Sequence, residues 1–403
     1  MESEGDFSHL HPKRNKPTNH ASTSIQESSL KIPVLPEELI TEILLNLPVK
    51  SLLQFRCVSK SWLSLISSPK FVKTHLSLCA NNKACTYHRL ILSLVQPVTT
   101  YSLIYDLMDF SLGTLLYDSV TRAFDLDYPM KGPHKSFDVV GSVNGLICFT
   151  FDQKDLFLWN PSIRKFKKLP DFIPKLNFRY CVMYGFGYDE VHDDYKVVAV
   201  SRTSSYDISH QVEVEVKIYS VNSDSWRSTH DFNNGRKLIK WGMSVNGKLH
   251  WASTTSHKFD SYNVWSIQSI DLADGKLGKV DKPCYGEGDF DLEMCLGVLG
   301  SDLSVFCSYQ RTQTDVWVMK EYGIKESWTK MCIIKYPNYL VGNLLCPPFC
   351  MSSEGEILFE HGLTFIIYNP KDDSFRYPTL TNCDSFYWEN MYIESLVWPI
   401  FTE

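Results

Sequence analysis

The sequence predicts an α+β multidomain chain, a small N-terminal helical unit followed by an all-β propeller of six blades. Three patterns carry that expectation. Between residues 32 and 76 the apolar residues recur three and four apart, as on amphipathic helices. From about Thr86 the spacing changes to alternation, in short runs divided by turn residues, as in strands. One hairpin-like phrase then returns about every 50 residues, close to the length of a four-stranded propeller blade.

The 403 residues leave room for two or three domains, and 44% hydrophobic content with 13% aromatics supports a large packed core. Residues 1–31 balance four basic against four acidic groups, are rich in Ser, Thr, Asn and His, and carry few large apolar side chains, so a disordered tail is expected. Within it, Lys13, Arg14 and Lys16 form too short a basic run for a nuclear address and read as a solvated stretch. The start lacks the charged-then-apolar order of a secretory leader. No run reaches the ~20 apolar residues of a membrane span. The 12 cysteines are scattered, without a paired framework, which predicts reduced thiols and a cytoplasmic and/or nuclear protein. Net charge is −6, and residues 79–403 hold 31 basic against 39 acidic groups. Phosphate backbones need a basic face, so nucleic acid is not an expected partner.

The helical unit, 32–78, comes next. Pro36 suits a helix start because its fixed φ matches the first helical position. Leu39, Ile40, Ile43, Leu44 and Leu47 make a broad apolar stripe, and Pro48 punctuates it. Leu52, Leu53, Phe55, Cys57 and Val58 continue on a second helix, and Trp62, Leu65 and Ile66 on a third that Pro69 is expected to end. A unit of this size has more apolar surface than it can bury alone. Either it packs on its own chain as an ordinary helical corner, or it offers an amphipathic face to another protein.

Order and spacing resemble the F-box, in its plant form: Leu35-Pro36, Glu38, Ile43-Leu44, Leu47-Pro48, Leu52-Leu53, Arg56, Val58, Lys60 and Trp62 carry the likeness. The resemblance implies docking onto a Skp1-like protein, and through it a cullin, by Leu35, Pro36, Ile40, Ile43, Leu44, Leu47, Pro48, Leu52 and Leu53. Val58 and Trp62 would hold the helices together or close the contact.

After a linker at 79–85, the repeat fills 86–400. An apolar strand end, a polar turn and a large apolar residue seven positions on recur as Tyr117/Phe124, Trp159/Phe166, Tyr219/Trp226, Ile270/Leu277 and Tyr368/Phe375. Met319/Trp328 fits with a longer turn. Asn144-Gly145 and Asn246-Gly247 supply tight hairpin turns, and Glu354-Gly355 stands in the equivalent place later. Each unit thus reads as strand, tight turn, strand, variable loop, strand, short turn, strand, in the manner of kelch-type blades. A ring must hide its edges, so the last stretch, 392–399, is expected to be a lone strand completing the first blade. A pair of β-sandwiches is the competing architecture.

The phrases LICF after the Asn-Gly turn, LWNPSIRKFKKLP, YGFGYDEVHDDYKVV, VKIYSVNSDSWR, SVNGKLHW and ESLVWP resemble the F-box-associated domain of plant F-box proteins. The resemblance implies a substrate receptor of an SCF ubiquitin ligase, a non-catalytic adaptor that binds a target protein. A propeller enzyme or glycan-binding protein that carries an F-box, and a scaffold working outside a ligase, are the alternatives.

Several constellations hold residue types that could carry chemistry. His75, Cys79, Cys85 and His88 have no familiar zinc-finger spacing. Cys346 and Cys350 flank a stiff Pro-Pro loop rather than a C-x-x-C pair. Gly185-Phe186-Gly187 lacks the third glycine and the helix of a dinucleotide site. Asp189, Glu190, Asp193 and Asp194 read as a solvated turn. Trp159, Trp226, Trp241, Trp251 and Trp328 read as packing between blades. No catalytic residue, metal or cofactor is expected.

Strand direction alternates, so first and third turns share one face of a propeller and second turns and blade links share the other. The longer connections, 201–211, 253–263, 281–293, 336–349 and 381–390, fall on that second face. Their aromatics Tyr206, His257, Phe259, Tyr262, Tyr285, Phe290, Tyr339 and Trp388 are the expected contacts for a protein target.

Overall fold

The structure, a computed structural model, describes residues 35–99, 102–134, 136–172, 179–204, 212–229, 237–254, 265–285, 292–309, 312–337, 350–361, 364–383 and 387–399. The tail expected at 1–31 lies outside them. Four helices come first: α1 (Glu37–Leu45), α2 (Val49–Phe55), α3 (Lys60–Ser67) and α4 (Pro69–Ala80). Pro36 and Pro48 sit at the N-cap positions of α1 and α2 in extended conformation, one residue before the helices start. Pro69 opens α4 instead of ending a helix, because a proline lacking N–H is harmless in a first turn. Ser68 caps that start by accepting from the Phe71 amide at 3.3 Å.

Strands follow as β1 (His88–Thr99), β2 (Ser102–Ser111), then a short helix α5 (Leu112–Tyr117), β3 (Val120–Arg122) and β4 (Phe124–Asp125). Next are β5 (Phe137–Val143), β6 (Leu146–Phe151), β7 (Asp155–Asn160) and β8 (Lys165–Lys168). The run β9 (Arg179–Asp189), β10 (Asp194–Ser204), β11 (Val212–Ser220) and β12 (Ser225–Thr229) precedes β13 (Lys237–Val245), β14 (Lys248–Thr254), β15 (Trp265–Asp271) and β16 (Leu277–Val280). Last come β17 (Leu292–Leu299), β18 (Asp302–Tyr309), β19 (Gln313–Met319), β20 (Trp328–Lys335), β21 (Cys350–Met351), β22 (Ile357–His361), β23 (Thr364–Asn369), β24 (Ser374–Arg376), β25 (Thr379–Thr381) and β26 (Tyr387–Ile393).

Antiparallel meanders give the four-stranded sheets β5 to β8, β17 to β20 and β21 to β24, while β9 to β16 form one eight-stranded sheet. The architecture is a small helical region followed by a propeller. Five repeated residue pairs stand directly opposite each other across their hairpins: Trp159 and Phe166, Tyr219 and Trp226, Ile270 and Leu277, Met319 and Trp328, Tyr368 and Phe375. The sixth does not. Tyr117 ends α5, whose Leu112, Leu115 and Leu116 are buried, and Phe124 pairs with Asp109 of β2. Ser111 starts that helix by accepting from the Thr114 amide at 3.4 Å.

The Asn-Gly turns lie where expected, with positive φ at Asn144, Gly145, Asn246 and Gly247. The eight-stranded sheet arises where β9 meets β13 in one parallel pairing, Gly242 opposite Gly185. A Cβ at Gly242 would come within 2.4 Å of the fully buried Trp251 ring. Only bare backbone lets these two strands touch there.

Ring closure follows the expectation in kind and differs in detail. β26 pairs antiparallel with β1, so a C-terminal strand does complete the first sheet, in the order β26-β1-β2-β4. The strand begins earlier than the sequence reading placed it and stops at Ile393. Glu394 to Pro399 is not strand.

His250 of β14 is fully buried, its Nδ1 at 3.2 Å from the Met243 carbonyl and its Nε2 at 2.7 Å from the Tyr322 hydroxyl. Burial, with a smaller contribution from Lys248, pushes its pKa down to about 4, against the opposing Met243 bond. The folded chain therefore holds a neutral imidazole, while the unfolded chain takes up a proton near pH 6.5. Stability from this residue is complete above about pH 6.5 and drains as pH falls toward about 4, by about 3 kcal/mol in total. Urea titrations at stepped pH should show that slope, and His250→Gln should flatten it.

Candidate partner-docking surface

α1 is apolar on two sides. Ile40 and Leu44 turn inward, while Leu39 and Ile43, four residues apart, turn outward at 45% and 53% exposure. Leu35, at 53%, extends that exposed line before Pro36. Val58, just past α2, and Leu63 of α3 are also exposed. The inward side packs into a core of Leu44, Val49, Leu52, Ile66 and Phe71, with Ile40, Leu47, Leu53, Phe55, Trp62 and Leu65 half-buried around it.

In the free chain this partition divides the set expected from sequence into buried and exposed members. Leu44 and Leu52 have 1% and 0% exposure and lie in the helical core of the free chain. Ile40, Leu47, Leu53 and Trp62 are half-buried in the same core, with Trp62 edge-on to Phe55 at 5.6 Å. Leu35, Pro36, Ile43, Pro48 and Val58 are exposed. Leu39 belongs beside Ile43, although the sequence reading left it in the stripe without assigning it a contact. Leu63 is exposed too and is not among the residues expected from sequence. Spacing of four from Leu39 to Ile43 and from Ile40 to Leu44 was the available signal for two sides.

The helical unit rests on one face of the propeller. α2 packs on the Pro161–Ile163 turn that follows β7, and Ile163 touches the helical core. Lys73 of α4 pairs with Asp193, in the β9–β10 turn, at 2.7 Å. Val72 and Leu76 lie against the core that contains Tyr184, Val197 and Tyr219. The Tyr87 hydroxyl, just before β1, reaches the Asn46 carbonyl at 3.3 Å. First and third turns supply these contacts. Because neighbouring strands are antiparallel, the strands flanking 205–211, 255–264 and 310–311 end on the opposite face.

Six of the eight aromatic candidates for target contact, Tyr206, His257, Phe259, Tyr262, Phe290 and Tyr339, lie outside the described residues. Trp388 is placed on β26, opposite Leu92 of β1. Tyr285 is tied into its sheet: its hydroxyl accepts from Trp265 Nε1 at 3.0 Å, and the Lys282 ammonium lies 5.6 Å from its ring.

Of the groups considered for chemistry, His75, Cys79, Asp189 and Asp194 have structural partners, and Cys346 lies outside the described residues. His75 is buried with Nε2 at 2.9 Å from the Leu47 carbonyl, and burial lowers its pKa. Cys79 lies 3.6 Å from His75 Nδ1, and burial pushes its thiol up to about 12. The acidic turn is divided: Glu190 and Asp193 are exposed, as a solvated turn requires, while Asp189 and Asp194 are buried. Asp189 is 1% exposed and accepts from Lys196 Nζ at 2.5 Å, His192 Nδ1 at 2.7 Å and the Val191 amide at 3.0 Å. Burial alone would raise its pKa, but these bonds from Lys196 and His192 outweigh it and hold the carboxyl below its usual range. Asp194 is buried and accepts from Ser220 at 2.6 Å and the Asn222 amide at 3.0 Å. Among the described residues no group of three or more His, Cys, Asp or Glu side chains converges to hold a metal ion. No helix there is long and apolar enough to cross a membrane. Trp159, Trp251 and Trp328 are buried between sheets.

Comparison with known proteins gives two family matches. Residues 32–74 match the F-box domain and residues 99–394 the F-box associated beta propeller domain. F-box/kelch-repeat protein At3g23880 of Arabidopsis thaliana is 35% identical over 371 residues, 91% of this chain and 96% of that protein. F-box protein CPR1 of the same plant is 29% identical over 389 residues, 90% of this chain and 88% of its own length. Among solved structures, an oligogalacturonate lyase in complex with manganese aligns over 73% of this chain and 86% of its own at a TM-score of 0.41 and 8% identity.

Proposed function

Since the chain belongs to the plant F-box proteins that carry an F-box-associated β-propeller domain, we propose that it is the target-recognition subunit of an SCF (Skp1–cullin–F-box) ubiquitin ligase. Helices α1 to α4 are the F-box. The line Leu35, Leu39 and Ile43, with Val58 and Leu63, docks a Skp1-like protein, and the cullin is reached through it. One observation carries this reading: an apolar line stays in solvent on a helical unit whose other side is fully packed. From β1 onward the chain is a six-bladed ring. Supporting that count, the eight-stranded sheet consists of two four-stranded meanders joined by a single parallel pairing.

The loop-bearing face, turned away from the helices, receives the target protein. Ubiquitin chemistry belongs to the E2 and its partner subunits; this chain contributes proximity, holding a target at high effective concentration near them. The test is reconstitution with a plant Skp1-like protein, cullin, RING subunit and E2, together with proximity labelling to find the target. The expected result is ubiquitin transfer to a protein captured by the propeller, lost on alanine substitution of the loop aromatics. Capture without any transfer would mark a scaffold outside a ligase.

A further inference from the structure

Asn160 ends β7 and is fully buried. Its Nδ2 donates to the Ser395 carbonyl at 3.1 Å, Ser395 Oγ at 3.2 Å and the Val397 carbonyl at 2.7 Å, all on the segment that leaves the ring-closing strand. Its Oδ1 accepts from the Ser162 amide at 2.9 Å, which fixes the amide's orientation. Ser395 Oγ donates to the Asn144 carbonyl at 2.9 Å, and a Cβ at Gly145 would fall 2.2 Å from that same oxygen. The segment therefore lies flat across two turns of the β5–β8 sheet. From there its side chains part. Leu396 enters the helical core beside Leu44, Val49, Leu52, Ile66 and Phe71, and Val397 enters the sheet core with Val140, Leu158 and Tyr184.

We propose that Glu394 to Pro399 is a brace that sets the direction of the α1 line relative to the loop-bearing face, with Asn160 and Leu396 as its positioning residues. Leu396 is the one fully buried residue of the helical core supplied from outside the helices, among the described residues. The Lys73–Asp193 pair is 61% exposed on both sides and too solvated to hold an angle. The consequence for the ligase rests on the function proposed above: a target and an E2 held on two ends of one subunit meet only if the subunit keeps its shape.

The geometry is testable in the full-length chain alone. Spin labels on non-canonical residues at Glu42 of α1 and Lys279 of β16, both exposed, report the distance between helices and propeller by pulsed dipolar spectroscopy. The wild-type chain should give a single narrow peak. Asn160→Asp keeps the shape but sets a carboxylate against two carbonyls. That change should cost the narrow peak while the affinity for a Skp1-like protein is unchanged. Leu396→Ala should do the same, and Leu396→Met should restore the peak. If Asn160→Asp unfolds the sheets, Leu396→Ala decides, since it leaves the sheet core intact. A narrow, unshifted peak in Leu396→Ala overturns the brace. Failure of the wild-type chain to bind a Skp1-like protein would sink the ligase reading and leave the distance result standing.

Discussion

Leu39→Asp combined with Ile43→Lys weakens binding of a Skp1-like protein about 1000-fold while the chain stays folded. Both side chains are about half exposed in the free chain, so their loss removes little of its own core. Asp in the first turn of α1 and Lys in its last also complement the helix dipole, which keeps the helix at least as stable. At a filled interface each residue would be a central apolar anchor, and truncating such anchors costs about 2 kcal/mol each. Two together come to about 4 kcal/mol, which is about 1000-fold in affinity. Leu44→Asp is the contrast. It buries a charge in the helical core and should unfold the unit, so its loss of binding would say nothing about contact. Titration calorimetry with circular dichroism on both variants separates the two effects. Tight binding by the double variant would mean the partner sits elsewhere.

Lys196→Met destabilises the propeller by about 3–5 kcal/mol. Lys196 is nearly buried and donates from Nζ to Asp189 Oδ2 at 2.5 Å and to the Leu272 carbonyl at 2.6 Å. The second bond crosses from the β9–β12 meander to the chain just after β15, so one ammonium joins two neighbouring meanders. Methionine keeps most of the volume and removes the charge. Asp189 is then left 1% exposed with a carboxylate whose strongest partner is gone, although His192 and two backbone amides remain. Adding Asp189→Asn should recover most of the loss, since it removes the unpaired charge while its Oδ1 still accepts from the Val191 and His192 amides. Urea unfolding of the single and double variants measures both. A loss below about 1 kcal/mol for Lys196→Met would show that the pair is only marginally coupled to folding.

Much of the propeller was legible because its rules are local. A strand has a two-residue period and a tight turn needs Asn-Gly, so a recurring phrase such as WNPSIRKF fixes which residues face each other. Trp159 and Phe166 do so. Reading failed where a short segment takes its structure from distant partners. YDSVTRAF has the same outline, but Tyr117 closes a six-residue helix whose leucines are buried with Phe365 and Ile367 of β23. ESLVWP looks like a strand by composition, yet two of its carbonyls, those of Ser395 and Val397, accept from one side chain, Asn160, more than two hundred residues earlier. The candidate surface shows the same limit. Helical spacing reveals a broad apolar stripe on α1, but which side is covered depends on Val49, Leu52, Ile66 and Phe71 of the later helices, which the stripe cannot report. Half of the acidic turn escapes its local pattern for a related reason. Asp189 looks solvated beside Glu190 and Asp193 until Lys196 folds back onto it across the β9–β10 hairpin.

The most direct test is calorimetric titration of the wild-type chain with a purified plant Skp1-like protein. A one-to-one complex of micromolar or tighter affinity, with the negative heat-capacity change of apolar burial, is the expected result. A correctly folded chain that gives no binding at all would contradict the account, since the apolar line of α1 would then have no purpose on this molecule.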